Sequence, residues 1–115
     1  MCLALVIYHE ARSEPEVAQR AVAHVVLNRT RDPRWPSQVC EVVRDQTQFQ
    51  FKMVEPMEKQ AWSKALKIAS NVLSNKDKDP TNGALWFHGK HQKKIWSMRL
   101  EAINLPGYHV FWREQ

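Results

Sequence analysis

The stretch "CLALVIYHEAR", residues 2–12, sets a carboxylate behind a run of apolar side chains. Glu10 follows Leu3, Val6 and Ile7 at spacings that place all four on one face of a helix. A carboxyl on an apolar face loses hydration, so its charged form is disfavoured and its pKa rises. Such a group holds its proton near neutral pH and can act as a general acid. The competing reading is a buried ion pair, in which Arg12 or Arg29 neutralises Glu10.

Other reactive residue types are less ordered. The chain has five histidines, but "HEARS" departs from the zinc-binding HExxH pattern at Ser13. His88 and His91 stand three apart in "HGKH", with lysines around them and no third ligand nearby, so no metal and no cofactor is expected. Cys2 and Cys40 form no CxxC pair. They are either two buried thiols or one disulfide tying the first helix to the third, and a bond requires Cα atoms within about 7 Å.

The elements that must position these residues follow from periodicity and breakers. Residues 3–11 read as a short buried helix. "SEPE" then reads as a capping box, with Ser13 as N-cap, Pro15 in the first turn and Glu16 reaching back. The second helix covers about 14–30, with Ala18, Val22, Val25, Val26 and Arg29 inward and Gln19, Arg20, His24 and Arg31 outward. "RDPRWPS" ends it, and Ser37 can cap a short helix through "QVCEVVR". "DQTQFQFKM" reads as an extended segment or loop. A helix over 56–74 opens at Pro56 and carries Met57, Ala61, Ala65, Ile68 and Val72 on one stripe. "ALWFHG" and "YHVFWR" read as strands, and the segment between them as loop with at most one helical turn. The order predicts one α+β domain over 1–115, with a mainly helical first half and a small antiparallel β region in the C-terminal part.

The net charge of +5 points to an anionic partner: nucleic acid, a lipid surface or a bacterial wall. A small basic nucleic-acid-binding domain is one such reading. Against it, the basic residues are spread over several segments and no recognition motif is present, so no nucleic acid is expected. No apolar run reaches membrane-span length, and "MCLALVIYH" has neither the basic start nor the cleavage site of a secretory signal.

The ordered stretches "CLALVIYHEAR-EPE--QRAVAHVVLNR", "RWPSQVCEVV", "DPTNGALWFH", "IWS" and "GYHVFW" together resemble the cell-wall hydrolase family typified by spore-cortex-lytic enzymes. The resemblance covers essentially the whole chain. It departs at Ser13, where the family usually has Gly, and at Asn82, in a turn that is often Gly-Gly; Asn tolerates the left-handed geometry needed there.

The resemblance implies a lysozyme-like fold that cleaves peptidoglycan between N-acetylmuramic acid and N-acetylglucosamine, as a lytic transglycosylase giving 1,6-anhydro ends. Glu10 matches the family's catalytic acid. Gln48 and Phe49 fall where one groove wall is expected, and Trp96 and Ser97 match a position near the cleft. Trp86 and His88 alternate along a strand, so both would face the groove while Phe87 enters the core. A hydrolytic muramidase or glucosaminidase is the alternative, with Glu41, Asp45 or Glu55 as a second acid. The expected partner is the glycan strand, with weak attraction of Lys90, Lys93, Lys94 and Arg99 to the anionic cell envelope. The expected state is a monomer. Without a leader, such a chain would resemble a bacteriophage endolysin, made in the cytoplasm and released through a holin to reach the wall; a bacterial remodelling enzyme separated from its leader is the alternative.

Overall fold

The computed structural model describes residues 1–45, 56–91 and 99–115. Its elements are α1 (Cys2–Ala11), α2 (Glu16–Thr30), α3 (Val39–Asp45), α4 (Lys59–Leu73), β1 (Trp86–Gly89), β2 (Leu100–Asn104) and β3 (His109–Glu114). The α+β order read from the sequence is the order found.

α1 is the centre of the helical part. It has no glycine or proline, and Leu3, Ala4, Val6, Ile7, Tyr8 and Ala11 are all buried. It packs against α2, α3 and α4 together, which is why it is apolar on more than one side. Cys2 and Cys40 are joined by a disulfide with Cα atoms 5.3 Å apart, fastening the start of α1 to α3. Of the two cysteine readings, the bonded one is correct.

α2 begins later and differently than the capping box requires. Pro15 occupies the N-cap with φ −54° and ψ 151°, and no side-chain cap is made there. The chain reaches α2 through a turn in which Glu14 N–H donates to Ala11 O, so Ser13 lies too far back to reach the first free N–H groups. Gln19 and His24, expected outside, are buried. Gln19 Nε2 donates to Glu14 O at 2.9 Å, and His24 Nε2 meets Asp77 Oδ2 at 2.7 Å. Each polar tip has a partner on a neighbouring segment, which is what permits its burial.

α4 is the simplest helix to read. Ala65, Ile68, Ala69 and Val72 are buried, while Ser63, Lys64, Lys67, Ser70 and Asn71 are exposed. It starts at Lys59 rather than Pro56, so Met57 falls outside it and is 91% exposed. Asn75, at φ 61°, closes the end, with N–H groups of Asn75 and Lys76 returning to Val72 O and Asn71 O.

The sheet is antiparallel in the order β1-β3-β2. β2 lies in a segment expected to be loop. It is an edge strand whose residues are half-buried or exposed, so "LEAIN" lacks the alternation that marks a half-buried strand; pairing with β3 holds it. Phe87 pairs with Phe111 and Ile103 with Phe111, and this face closes over the helices. Asn82 takes φ 53° in the turn before β1, as expected of Asn there.

Candidate active site

Glu10 sits in the last turn of α1, half-buried behind Leu3, Val6 and Ile7, which are fully buried. Burial pushes its carboxyl up to about 7. The negative end of the α1 dipole also disfavours charge at this place. Neither arginine that could neutralise it does so. Arg12 turns back, pairing through Nε with Glu58 and lying 4.6 Å from the Tyr8 ring centroid. Arg29 is buried at the end of α2, where its Nε donates to Leu85 O at 2.6 Å and its guanidinium lies 4.9 Å from the Trp35 ring. Burial lowers Arg29 to about 10. Among the described residues, no side chain pairs with the Glu10 carboxylate, and the ion-pair reading fails there.

The backbone of Glu10 is held from the sheet. His109 Nε2 donates to Glu10 O at 3.0 Å, which places hydrogen on Nε2. His109 is 7% exposed, and its Nδ1 has no hydrogen-bond partner among the described residues. One residue earlier, Tyr108 N–H donates to Glu14 Oε1. Gly107 has φ 116°, and a Cβ there would come within 2.7 Å of the same Glu14 oxygen. Glu14, Gly107, Tyr108 and His109 thus clamp the start of β3 to the end of α1. Neither Glu14 nor His109 is marked for this role by its local sequence. The available signal was "LPG" directly before a strand, a positive-φ turn that must dock on something.

Tyr8, two residues before Glu10, has its own task. Its hydroxyl accepts from Glu58 N–H at 3.0 Å and so helps set the start of α4.

The other expected site residues divide into two groups. Gln48, Phe49, Trp96 and Ser97 lie outside the described residues. Trp86 and His88 share a face, as their alternation requires, but they do not come to Glu10. Register puts Phe87, His109 and Phe111 on the helix-facing side, leaving Trp86, His88 and Trp112 on the opposite one. There Trp86 meets Trp35 at 5.9 Å and the Arg34 guanidinium at 5.5 Å, and His88 stacks on Trp112 at 6.1 Å. The two phenylalanines, which carry no polar side-chain atom to satisfy, took the core side. Of the candidate second acids, Glu41 is exposed on α3, Asp45 ends that helix, and Glu55 lies outside the described residues.

Among the described residues, no three His, Cys, Asp or Glu side chains gather as a metal site. No helix among them is long and apolar enough to cross a membrane.

Residues 13–112 match the family model described as Cell Wall Hydrolase. A spore cortex-lytic enzyme of Halalkalibacterium halodurans is 30% identical over 110 residues, covering 95% of this chain and 33% of the relative. One of Bacillus subtilis is 29% identical over 110 residues, covering 95% of this chain and 35% of that protein. The chain therefore spans about a third of the length of these curated relatives. Both alignments take in all but a few residues, so Glu10 lies within them. Among solved structures, the catalytic domain of the Bacillus cereus SleB protein superposes with a TM-score of 0.74 at 27% identity, covering 96% of this chain and 86% of that one. The catalytic domain of the germination-specific lytic transglycosylase SleB from Bacillus anthracis gives 0.71 at 25% identity, covering 97% and 91%. The fold is thus the lysozyme-like α+β arrangement shared with these domains.

Proposed function

From the premise that this chain belongs to the cell wall hydrolase family, we propose that it cleaves the glycan strand of peptidoglycan, with Glu10 as its acid. The observation that carries this reading is a half-buried carboxyl held near pKa 7 with no side-chain partner among the described residues.

The bond broken is the glycosidic bond between N-acetylmuramic acid and N-acetylglucosamine. Glu10, protonated, gives its proton to the bridging oxygen as the bond to the anomeric carbon breaks. The resulting carboxylate then takes the proton of the muramic acid C6 hydroxyl. That oxygen closes on the anomeric carbon, giving a 1,6-anhydro end and restoring protonated Glu10. No water is consumed, so one carboxyl serves both steps. A pKa near 7 suits both, since neither protonation state is far from reach. Glu14, the next carboxylate along the chain, accepts the Tyr108 N–H and is committed to the clamp.

The test is the product. Digestion of purified peptidoglycan should yield fragments whose muramic acid ends are lighter by one water than hydrolysed ends. Hydrolysed ends alone would replace the transglycosylase step with water attack and require a second acid. No cleavage by the wild-type protein would remove the proposal.

A further inference from the structure

We propose that Tyr108 is a stacking platform for a pyranose ring of the glycan strand, seated on Gly89 beside the Glu10 end of α1. This inference rests on the reading of the chain as a glycan-cleaving enzyme, and extends it to a residue that binds rather than reacts.

Tyr108 is 41% exposed, and it is the only exposed Phe, Tyr or Trp among the described residues. An exposed aromatic at a strand start is unremarkable by itself, but this one is built in. Its N–H is taken by Glu14, and its carbonyl accepts from Lys90 N–H at 2.7 Å. Its ring lies against Gly89: a Cβ there would fall 2.2 Å from Cε2, 2.5 Å from Cζ and 2.6 Å from Oη. Gly89 is not a positive-φ glycine, so its backbone does not demand glycine. What demands it is the room the ring takes.

The ring is also in the right neighbourhood. It meets the His109 ring edge-on at 5.6 Å, and His109 is the residue bonded to Glu10 O. His91 flanks it at 5.4 Å. One side of the ring is turned to Gly89, and past the two histidines Tyr108 remains 41% exposed. A pyranose presents a face of C–H groups that complements the electron-rich face of an aromatic ring. A ring already fixed on both sides of its backbone gives up little freedom on binding.

Steady-state turnover of solubilised peptidoglycan fragments tests the platform. Tyr108→Ala and Tyr108→Leu should raise KM about threefold to tenfold, with kcat and the pH dependence of kcat unchanged. Tyr108→Phe should keep KM near wild type. Gly89→Ala should raise KM like Tyr108→Ala, since its Cβ displaces the ring, and the double variant should be no worse than either single one. Wild-type KM in both Tyr108→Leu and Gly89→Ala, each shown folded by its unfolding transition, would overturn the proposal. So would additive effects in the double variant. Failure of the parent reading looks different: the wild-type protein itself would then release no fragments, and the platform would fall with it.

Discussion

The C-terminal ends of α1 and α2 both bury ionisable groups, and they treat them in opposite ways. At the end of α2, Asn28 Nδ2 donates to Asp79 Oδ2 at 2.9 Å and to Ala84 O at 3.0 Å, and Arg29 donates to Leu85 O. Asp79 also accepts from Thr81 N–H, Thr81 Oγ1 and Gly83 N–H. Burial alone would raise Asp79, but the bonds from Asn28, Thr81 and Gly83 outweigh it and hold its carboxyl below the usual range. At the end of α1, Glu10 is half-buried with nothing among the described residues to offset the loss of water, and it rises. The first arrangement fixes the turn that launches β1. The second leaves a carboxyl that burial pushes up to about 7. A satisfied buried carboxylate is a structural part, and an unsatisfied one is a candidate for chemistry.

The sharpest way to break this comparison is to exchange each carboxyl and compare what is lost. Glu10→Gln should lower peptidoglycan turnover by roughly 10²–10⁴ or more, while the unfolding transition remains cooperative and at least as high as in wild type. Near-normal turnover in a folded Glu10→Gln protein would make Glu10 structural and erase the contrast. Opening the Cys2–Cys40 bond tests the other end of α1. Cys2→Ser should cost about 3–4 kcal/mol in urea unfolding, as expected for a loop of this length, and leave the pH at which activity falls unchanged. A shift of that pH would mean that the disulfide, and not burial at the helix end, governs the acid. Asp79→Ala should cost about 2–3 kcal/mol by leaving several donors without their acceptor. Its folded fraction should still produce the same glycan ends, measured by mass. Loss of cleavage without loss of stability would put Asp79 in the chemistry instead.

The same contrast explains what the sequence disclosed. The burial around Glu10 was legible because its helix is apolar at the spacings that share its face, and that pattern needs no partner to be read; the acid role came from the family resemblance, since the pattern alone left an ion pair open. α4 was legible for the same reason. Gln19 and His24 were misplaced because their burial depends on Glu14 O and Asp77, partners from other segments that periodicity does not register. β2 was missed because an edge strand is held by its neighbour more than by its own composition. Trp86 and His88 were correctly put on one face, but alternation states only that two residues agree, not which side the helices occupy. The clamp of Glu14, Gly107, Tyr108 and His109 joins residues at opposite ends of the chain, so only the fold brings it together.

The smallest expected effect is one of pH on stability, and its sign differs between the two carboxyls. Glu10 is raised from an ordinary value of 4.5 to about 7. A raised acid favours the folded state most when both states hold the proton, below about pH 4.5, and that advantage is lost as pH climbs to 7. Asp79 is lowered, so its contribution is present above its unfolded pKa and is lost as pH falls through the folded one. Glu10→Gln removes the first dependence and leaves the second. The variant should therefore gain on wild type as pH rises from 4.5 to 7, by about 1–2 kcal/mol after discounting for the partly exposed carboxyl, and the difference should level off above that. Urea unfolding of both proteins at matched pH values measures it. In wild type, turnover should begin to decline only where this 4.5–7 window ends, near pH 7, because the proton that folded Glu10 holds is the one it donates. If the Glu10→Gln curve runs parallel to wild type across that window, the proton resides elsewhere, and the end of α1 is no different in kind from the end of α2.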